Sequence, residues 1–531
     1  MKATKNPQPV SASHNENVPS LDNTPAYEAH TIKGLIVGGK YRDELSQEQS
    51  QHYDSSLLQE VDVDLPLTAT KPVQHDGQDF IVLDFIEGDK ENPFNWSSGR
   101  KAFISAQLCC MTLFIGLATT AYSSGISGMA KELGTTELIG KLGLFTFNFT
   151  CALAPLFLAP FCELAGRRVI YIGAYVCFCL MFIGLALGKN IATILVCRAL
   201  LGLFGCVGTI LVGGTFGDMY TPEHRAIPMA CFSFIAILGT VGAPIYAGFI
   251  DQALGWRWLE GIQGLANIPL GIVIAFCLPE TRGSVCLTKR AKAIRQATGD
   301  DRFVTHNDIE APGIKHMLHN SSVKAVKMLF SEPVVFAFGL WISFAWFLTF
   351  LFLSVIPITF QEKRGWNEGV SGLPYISLCL GTTIGFGLNF FQIRKYQSLT
   401  SDPNAEVAPR SSVVRFTQYE SLPWIGPVIG LALITIGIFF IFESCYSYTA
   451  DCYGEHSSSA IAGQGFMRNT LGAVSPLFAS QFFHNMGSQY AGLLLALVAT
   501  VLTFIPFVLF KFGPALRARS RLASATVNGT D

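Results

Sequence analysis

Residues 191–217 read IATILVCRALLGLFGCVGTILVGGTFG, 27 positions that carry a single charge, Arg198. At 1.5 Å per residue such a helix is about 40 Å long, more than the roughly 30 Å hydrocarbon core of a bilayer. The stretch therefore reads as a membrane-spanning helix. Similar apolar runs lie at about 102–122, 138–160 and 169–188 before it, and at about 227–250 and 259–278 after it, making six spans. A hydrophilic stretch from Pro279 to Glu332 follows, and then five more runs at about 333–358, 370–392, 422–443, 458–483 and 489–511. The expected fold is an all-α polytopic membrane protein with eleven spans.

Composition agrees. Half of the chain is hydrophobic and only 14% is charged, against about 25% in soluble domains, which excludes a large soluble enzyme. A net charge of −1 offers no basic face for nucleic acid. Cysteines such as Cys109, Cys110, Cys177, Cys197 and Cys231 fall inside apolar runs and make no CxxC pair, so they read as small core residues. His316 and His319 form an HxxH without a third ligand. No nucleophile, metal or phosphate-loop constellation stands out, so neither enzymatic activity nor a cofactor is expected.

Residues 1–99 are polar, lack a signal-peptide pattern and read as a disordered cytoplasmic tail. The rest divides into a six-helix bundle (100–278), a cytoplasmic linker (279–332), a second bundle (333–511) and a C-terminal tail (512–531). With the N-terminal tail inside, the loops on its side carry Arg167, Arg168, Arg225, the linker cluster, Arg394, Lys395, Arg410 and Arg415. The opposite loops offer only Lys131, Lys189, Arg257, Lys363 and Arg364. This contrast sets the orientation by the positive-inside rule. Eleven spans then leave Lys511, Arg517, Arg519 and Arg521 outside, against the same rule.

An internal repeat locates the discrepancy. Asp218-Met219-Tyr220 with Glu223-His224 is echoed by Asp451-Cys452-Tyr453 with Glu455-His456. Two spans separate the loop after the second run from this motif in the first half, but only the run at 422–443 does so in the second. On a plan of two six-helix repeats, the second copy lacks its third helix. The stretch from Arg394 to Ser421, where that helix belongs, has no apolar run able to cross.

Several residues are candidates for a mechanism. Arg198 lies about eight residues into its run, about 12 Å deep, where a charge costs about 2.5–3.5 kcal/mol and faces a cavity or a partner. Bonding to backbone carbonyls of a neighbouring helix is the alternative, and Glu260 is the nearest candidate carboxylate. Glu163, Gly166, Arg167 and Arg168, after the second run, supply a carboxylate, a turn glycine and two arginines for a charge clamp with Asp218 as acceptor. Such a clamp biases one access state over another, although basic residues without a gating role fit the spacing as well. In the fifth run, Gly239, Ala243, Pro244 and Gly248 give a close-packing, bendable helix. Glu443 closes an apolar run, where a buried carboxylate could take up and release a proton; a solvated helix end is the alternative. Arg468 lies about ten residues into another run.

Glu163-x-x-Gly166-Arg167-Arg168 resembles the loop signature of the major facilitator superfamily, with Glu in place of the usual Asp and Ala159 in place of the leading Gly. Arg198 with Gly202 resembles the fourth-helix Arg motif associated with proton transfer. Gly239-x-x-x-Ala243-Pro244-x-x-Ala247-Gly248 resembles the fifth-helix antiporter motif, with alanine at two glycine positions. Asn92-Pro93, Asn95-Trp96-Ser97, Trp256-Arg257-Trp258, Pro279-Glu280-Thr281, Arg364-Gly365-Trp366 and Lys511-Phe512-Gly513-Pro514 extend the likeness from about residue 92 to the C-terminus. The chain thus resembles the fungal twelve-span drug:proton antiporters. In that family a helix opening with a Pro-Glu-x-Arg-Leu type motif precedes the Pro423-Trp424-Ile425-Gly426-Pro427 segment, and here it is absent.

The resemblance implies two pseudo-symmetric bundles, alternating access, and a cavity lined by the first, fourth and seventh helices and the run at 422–443. Trp341 and Trp346 in the seventh offer aromatic surface, and Arg198 and Glu443 are the residues assigned to proton coupling. The expected function is proton-coupled export of small, largely apolar compounds such as drugs, fungicides or secondary metabolites. A polyamine exporter and a truncated, non-transporting membrane protein are the alternatives. The expected partners are substrate, protons and the lipid bilayer, with the chain a monomer in the plasma membrane or, alternatively, the vacuolar membrane.

Overall fold

The computed structural model describes residues 88–221, 224–299, 301–305, 308, 314–400, 425–453 and 457–519, together with short stretches between 35 and 85. The chain forms two compact units, Met1–Glu87 with Ile294–Phe303, and Gly88–Ala293 with Val304–Asp531. Where composition reads as disorder, the first unit carries short antiparallel strands. Gln78–Asp84 (QDFIVLD), rich in β-branched and aromatic residues, pairs with Val73–His75 and with Thr68–Ala69.

In the second unit, helices α1 (Ser98–Ala121), α2 (Glu137–Ala165), α3 (Arg167–Leu187), α4 (Ile191–Met219), α5 (Ala226–Leu254) and α6 (Trp256–Cys277) form the first bundle. Polar caps set several starts, with Asn190 Oδ1 accepting from Thr193 N at 2.8 Å and Thr136 Oγ1 from Ile139 N at 3.4 Å. Gly166 (φ 91°) and Gly255 (φ 85°) make the single-residue turns between α2 and α3 and between α5 and α6. Linker helices Gly283–Thr298 and Ile314–Ser331 follow. The second bundle comprises α7 (Pro333–Pro357), α8 (Tyr375–Thr400), α9 (Ile425–Tyr453), α10 (Ser457–Leu502) and α11 (Phe504–Arg519).

Ten helical stretches among the described residues are long and apolar enough to cross a membrane, and the last, Ser459–Leu509, has 51 residues. Unbroken, that stretch would be about 77 Å long, more than twice the hydrocarbon thickness. It breaks at Gly487 (φ 76°, ψ 148°), so it supplies two legs.

The bundles repeat one packing scheme. In the first, α1 packs on α5 and α2 on α4; in the second, α7 packs on α10 and α8 on α9. Both α2–α4 and α8–α9 run parallel. Thr150 Oγ1 donates to Ala199 O at 2.8 Å and Cys151 Sγ lies 3.3 Å from Thr209 Oγ1, while Gly381 abuts Ala432 and Gly385 abuts Phe439. Helix α9 thus stands where a fourth member belongs. Helix α3, which fills the first bundle between α4 and α6 with Tyr175, Phe178 and Phe182, has no counterpart among the described residues. The corresponding space between α7, α9 and the second leg is an apolar cavity of about 130 Å³, bordered by Trp341, Leu431, Ile438 and Leu495.

One expectation is corrected by this arrangement. Because α8 and α9 are parallel, α8 ends and α9 begins on opposite faces; of the stretch Arg394–Ser421, where the missing helix belongs, the first residues continue α8 to Thr400 and the rest lies outside the described residues. The second leg then runs from Gly487 back toward the linker side, so Lys511 falls on the face that carries the linker and not on the opposite one.

Candidate functional site

On the linker face, α3 begins with Arg167, whose Nε bonds Asp218 Oδ2 at the end of α4 at 2.8 Å, while Arg282 Nη1 bonds the other Asp218 oxygen at 2.9 Å. Glu280 caps the same helix start, accepting from Arg167 N at 2.9 Å and Arg168 N at 3.2 Å. It also accepts from Thr281 N and Arg282 N, both at 3.0 Å. Gly166 makes this possible through its positive φ and because a Cβ there would collide with the Glu280 carboxylate. The structure thus brings Gly166, Arg167 and Asp218 together, and Glu280 and Arg282 join them. Arg168 is exposed and reaches Ala275 O at 3.3 Å instead, and the Glu163 side chain lies outside the described residues. The Pro279-Glu280-Thr281-Arg282 stretch was the available signal: a carboxylate and an arginine just past a span, on the clamp's face.

Arg198 is fully buried. Its Nη1 donates to Ala118 O at 3.0 Å, Nη2 to Thr119 O at 2.9 Å and Nε to Gly143 O at 3.4 Å. The guanidinium lies between the rings of Tyr122 (4.3 Å) and Phe147 (4.8 Å). It fastens the end of α1 and the start of α2 to α4 through backbone carbonyls, and it does not hydrogen-bond Glu260.

Between the bundles lies a cavity of about 30 Å³. Thr112, Thr119, Phe147 and Asn148 border it from α1 and α2, Phe232 and Ser233 from α5, and Trp346, Phe350, Phe442, Tyr446, Arg468 and Asn469 from the second bundle. Thr209 reaches it from a π-helical turn, Val207–Leu211, inside α4, where Gly208 O accepts from Thr112 Oγ1 at 2.6 Å. Arg468, only 4% exposed, donates to the Tyr446 hydroxyl and, through Nε, to Asn469 Oδ1 at 3.2 Å. Its guanidinium stands 4.9 Å from the Trp346 ring. The signal for Arg468 was the one that marked Arg198, an arginine inside an apolar run.

Two sequence expectations need correction here. Trp341 does not border the central cavity; it stacks with Phe338 and borders the apolar space of the second bundle. Glu443 is not at a helix end, because α9 continues to Tyr453, burying Cys445, Tyr446, Thr449 and Tyr453. The carboxylate faces Ser233 and Cys231 of α5, outside the lining of the central cavity.

The expected antiporter motif forms packing contacts. Gly239 meets α1 at Leu113 and Gly116, Ala243 is fully buried, Gly248 meets the backbone of Glu368, and the Pro244 carbonyl abuts Gly372 before α8. On the face opposite the linker the bundles are also joined by Lys141 Nζ to Ser480 Oγ at 2.6 Å and Gly369 N to Gln252 Oε1 at 3.2 Å.

The sequence pattern of the Major Facilitator Superfamily matches residues 108–396. The chain is 30% identical to the major facilitator superfamily multidrug transporter FLU1 of Candida albicans, over 82% of this chain and 75% of that protein. It is also 30% identical to the MFS-type transporter acdC of Aspergillus candidus, over 83% and 90% of the respective chains. An uncharacterised MFS-type transporter of Schizosaccharomyces pombe matches at 30% identity, over 90% of this chain and 96% of that one. Among solved structures, the proton:xylose symporter XylE shares the fold, with a TM-score of 0.53 at 13% identity, covering 78% of this chain and 96% of that chain. With its paired bundles, its clamp at the start of α3 and these relatives, the chain belongs to the Major Facilitator Superfamily and is a membrane transporter, not an enzyme.

Proposed function

We propose that the protein is a proton-coupled antiporter that exports small, largely apolar compounds by alternating access. The lining of the central cavity carries this reading: four aromatic side chains of the second bundle face Phe147 and Phe232, and the only charged group in the lining is Arg468. Apolar surface with a few polar anchors suits a drug-like or secondary-metabolite ligand. A polyamine would bring its cations against the Arg468 guanidinium with no carboxylate in the lining to answer them. The cavity, at about 30 Å³, is far below the roughly 300 Å³ or more of a ligand pocket, and the bundles are bonded opposite the linker. Access therefore requires the bundles to separate, with the Arg167–Asp218–Arg282 clamp biasing the states.

In this reading Arg198 and Glu443 belong to the coupling machinery. The reading takes the linker, the N-terminus and Lys511 as cytoplasmic, in keeping with the positive-inside rule, and the protein as a monomer of the plasma membrane. Transport of radiolabelled chloramphenicol, a neutral aromatic probe, into inside-out membrane vesicles tests the substrate class. Competition by apolar aromatic compounds and none by spermidine is expected; competition by spermidine favours the polyamine reading. One observation favours a second reading, a chain that inserts without cycling: no described helix fills the third position of the second bundle. A folded chain with no flux of any probe would establish it.

A further inference from the structure

Glu260 is 2% exposed, four residues into α6 and about 6 Å below the face opposite the linker. Neither of its carboxylate oxygens has a hydrogen-bond partner, and one turn deeper both polar atoms of the Gln263 side chain are likewise buried without one. The groups within electrostatic reach of Glu260 are Arg198 on α4, Tyr122 after α1 and Tyr246 on α5. Arg198, the only cation among them, has Nε and both Nη groups engaged by the carbonyls of Gly143, Ala118 and Thr119. An ionised carboxylate left in such a place costs several kcal/mol more than the neutral carboxyl, so the protonated form is favoured there.

We infer that Glu260 is a proton-binding site of this transporter, carrying its proton when Arg198 is held by the carbonyls of α1 and α2. The inference rests on the exchange reading above and assigns to Glu260, and not to Glu443, the proton that is released when the substrate binds. Loss of the proton leaves a carboxylate beside a guanidinium, and Arg198 answers it by releasing one or more of those carbonyls. Thr119 connects the two events, because its carbonyl holds Arg198 Nη2 and the residue also borders the central cavity. Proton occupancy at Glu260 and the shape of the cavity wall are thereby linked through one residue. Glu260 lies nearer the face opposite the linker, the side from which an exporter takes protons, and at 2% exposure it exchanges its proton only when the packing around it opens.

The test is proton release by the purified full chain in weakly buffered detergent solution, followed with a pH indicator as chloramphenicol is added. The unmodified chain is expected to release protons on binding, Glu260→Gln at least tenfold fewer, and Glu260→Asp to restore most of the release. Undiminished release from Glu260→Gln overturns the proposal while leaving exchange intact. No release from the unmodified chain overturns exchange and the proposal with it. Should Glu260→Gln fail to fold, infrared difference spectra of the unmodified chain decide: a protonated-carboxyl band lost on chloramphenicol binding, and absent from the Glu260→Asp spectrum at the same frequency, is expected. A spectrum with no carboxyl change, or with a band that Glu260→Asp leaves unshifted, overturns the assignment.

Discussion

A methyl group added to Gly166 would collide with Oε2 of Glu280. The positive φ of Gly166 adds strain for any other residue, so Gly166→Ala is expected to destabilise by about 2 kcal/mol or more and displace Glu280 from the start of α3. Arg167→Ala breaks a pair whose side chains are 9% and 12% exposed, and is expected to cost about 3–5 kcal/mol. Arg282, 32% exposed, contributes less, about 1 kcal/mol or below. Thermal melting of the three variants in detergent checks this order, and chloramphenicol flux should fall in the same sequence.

Asp89, ahead of α1, is held by Arg290 of the linker at 2.7 Å. Burial pushes its carboxyl upward, but the hydrogen bonds from Arg290 and from Glu91 N, with the Arg290 charge, outweigh this and hold it below the usual carboxylate range. A group lowered in the folded state contributes stability that is present above its unfolded value, near 4, and lost as pH falls through the folded value. Melting curves should show the native chain more stable than Asp89→Asn at pH 7, with the difference shrinking below about pH 4. A constant difference across that range would contradict the pairing.

Trp346 and Trp341 are five residues apart on α7, yet only Trp346 borders the central cavity. Trp346→Ala should weaken chloramphenicol binding about tenfold or more, as loss of a buried aromatic contact does. Trp341→Ala should lower the melting temperature while changing binding less than twofold. Equal losses of affinity would place both residues on the binding surface.

The parallel course of α8 and α9 returns the second leg to the linker side. A tag after Asp531 and a protease site in the linker should therefore be reached from the same face of sealed vesicles. Access from opposite faces would contradict the direction assigned to the second leg.

The apolar runs made the spans legible because lipid requires every backbone group to be satisfied within a helix, so length and hydropathy suffice. Sequence and described structure agree on one point in the second bundle: Arg394–Ser421 offers no such run, and no described helix takes the third position there. Direction was not legible. Parity assumes that successive spans alternate, and α9 breaks that assumption by lying parallel to α8, a relationship set by the contacts of Gly381 and Gly385. The clamp was half legible: Arg167 and Asp218 stand out as charges at span ends, but the role of Glu280 depends on the backbone geometry of Gly166. Arg198 stood out as a buried charge, while its partners are carbonyls, which leave no trace in side-chain identity. For Glu443 the sequence left a buried carboxylate and a solvated helix end both open, because hydropathy falls after Phe442; the helix continues to Tyr453 and the first holds.

The claim that transport is coupled to protons is tested most directly in liposomes containing the purified full chain. A pH gradient, acidic on the face opposite the linker, is imposed, and radiolabelled chloramphenicol is followed with simultaneous internal pH. The account predicts drug accumulation against its gradient on the acidic side, proton movement the opposite way, and loss of both when an ionophore collapses the gradient. Drug equilibration at a rate and extent independent of the imposed gradient would contradict it.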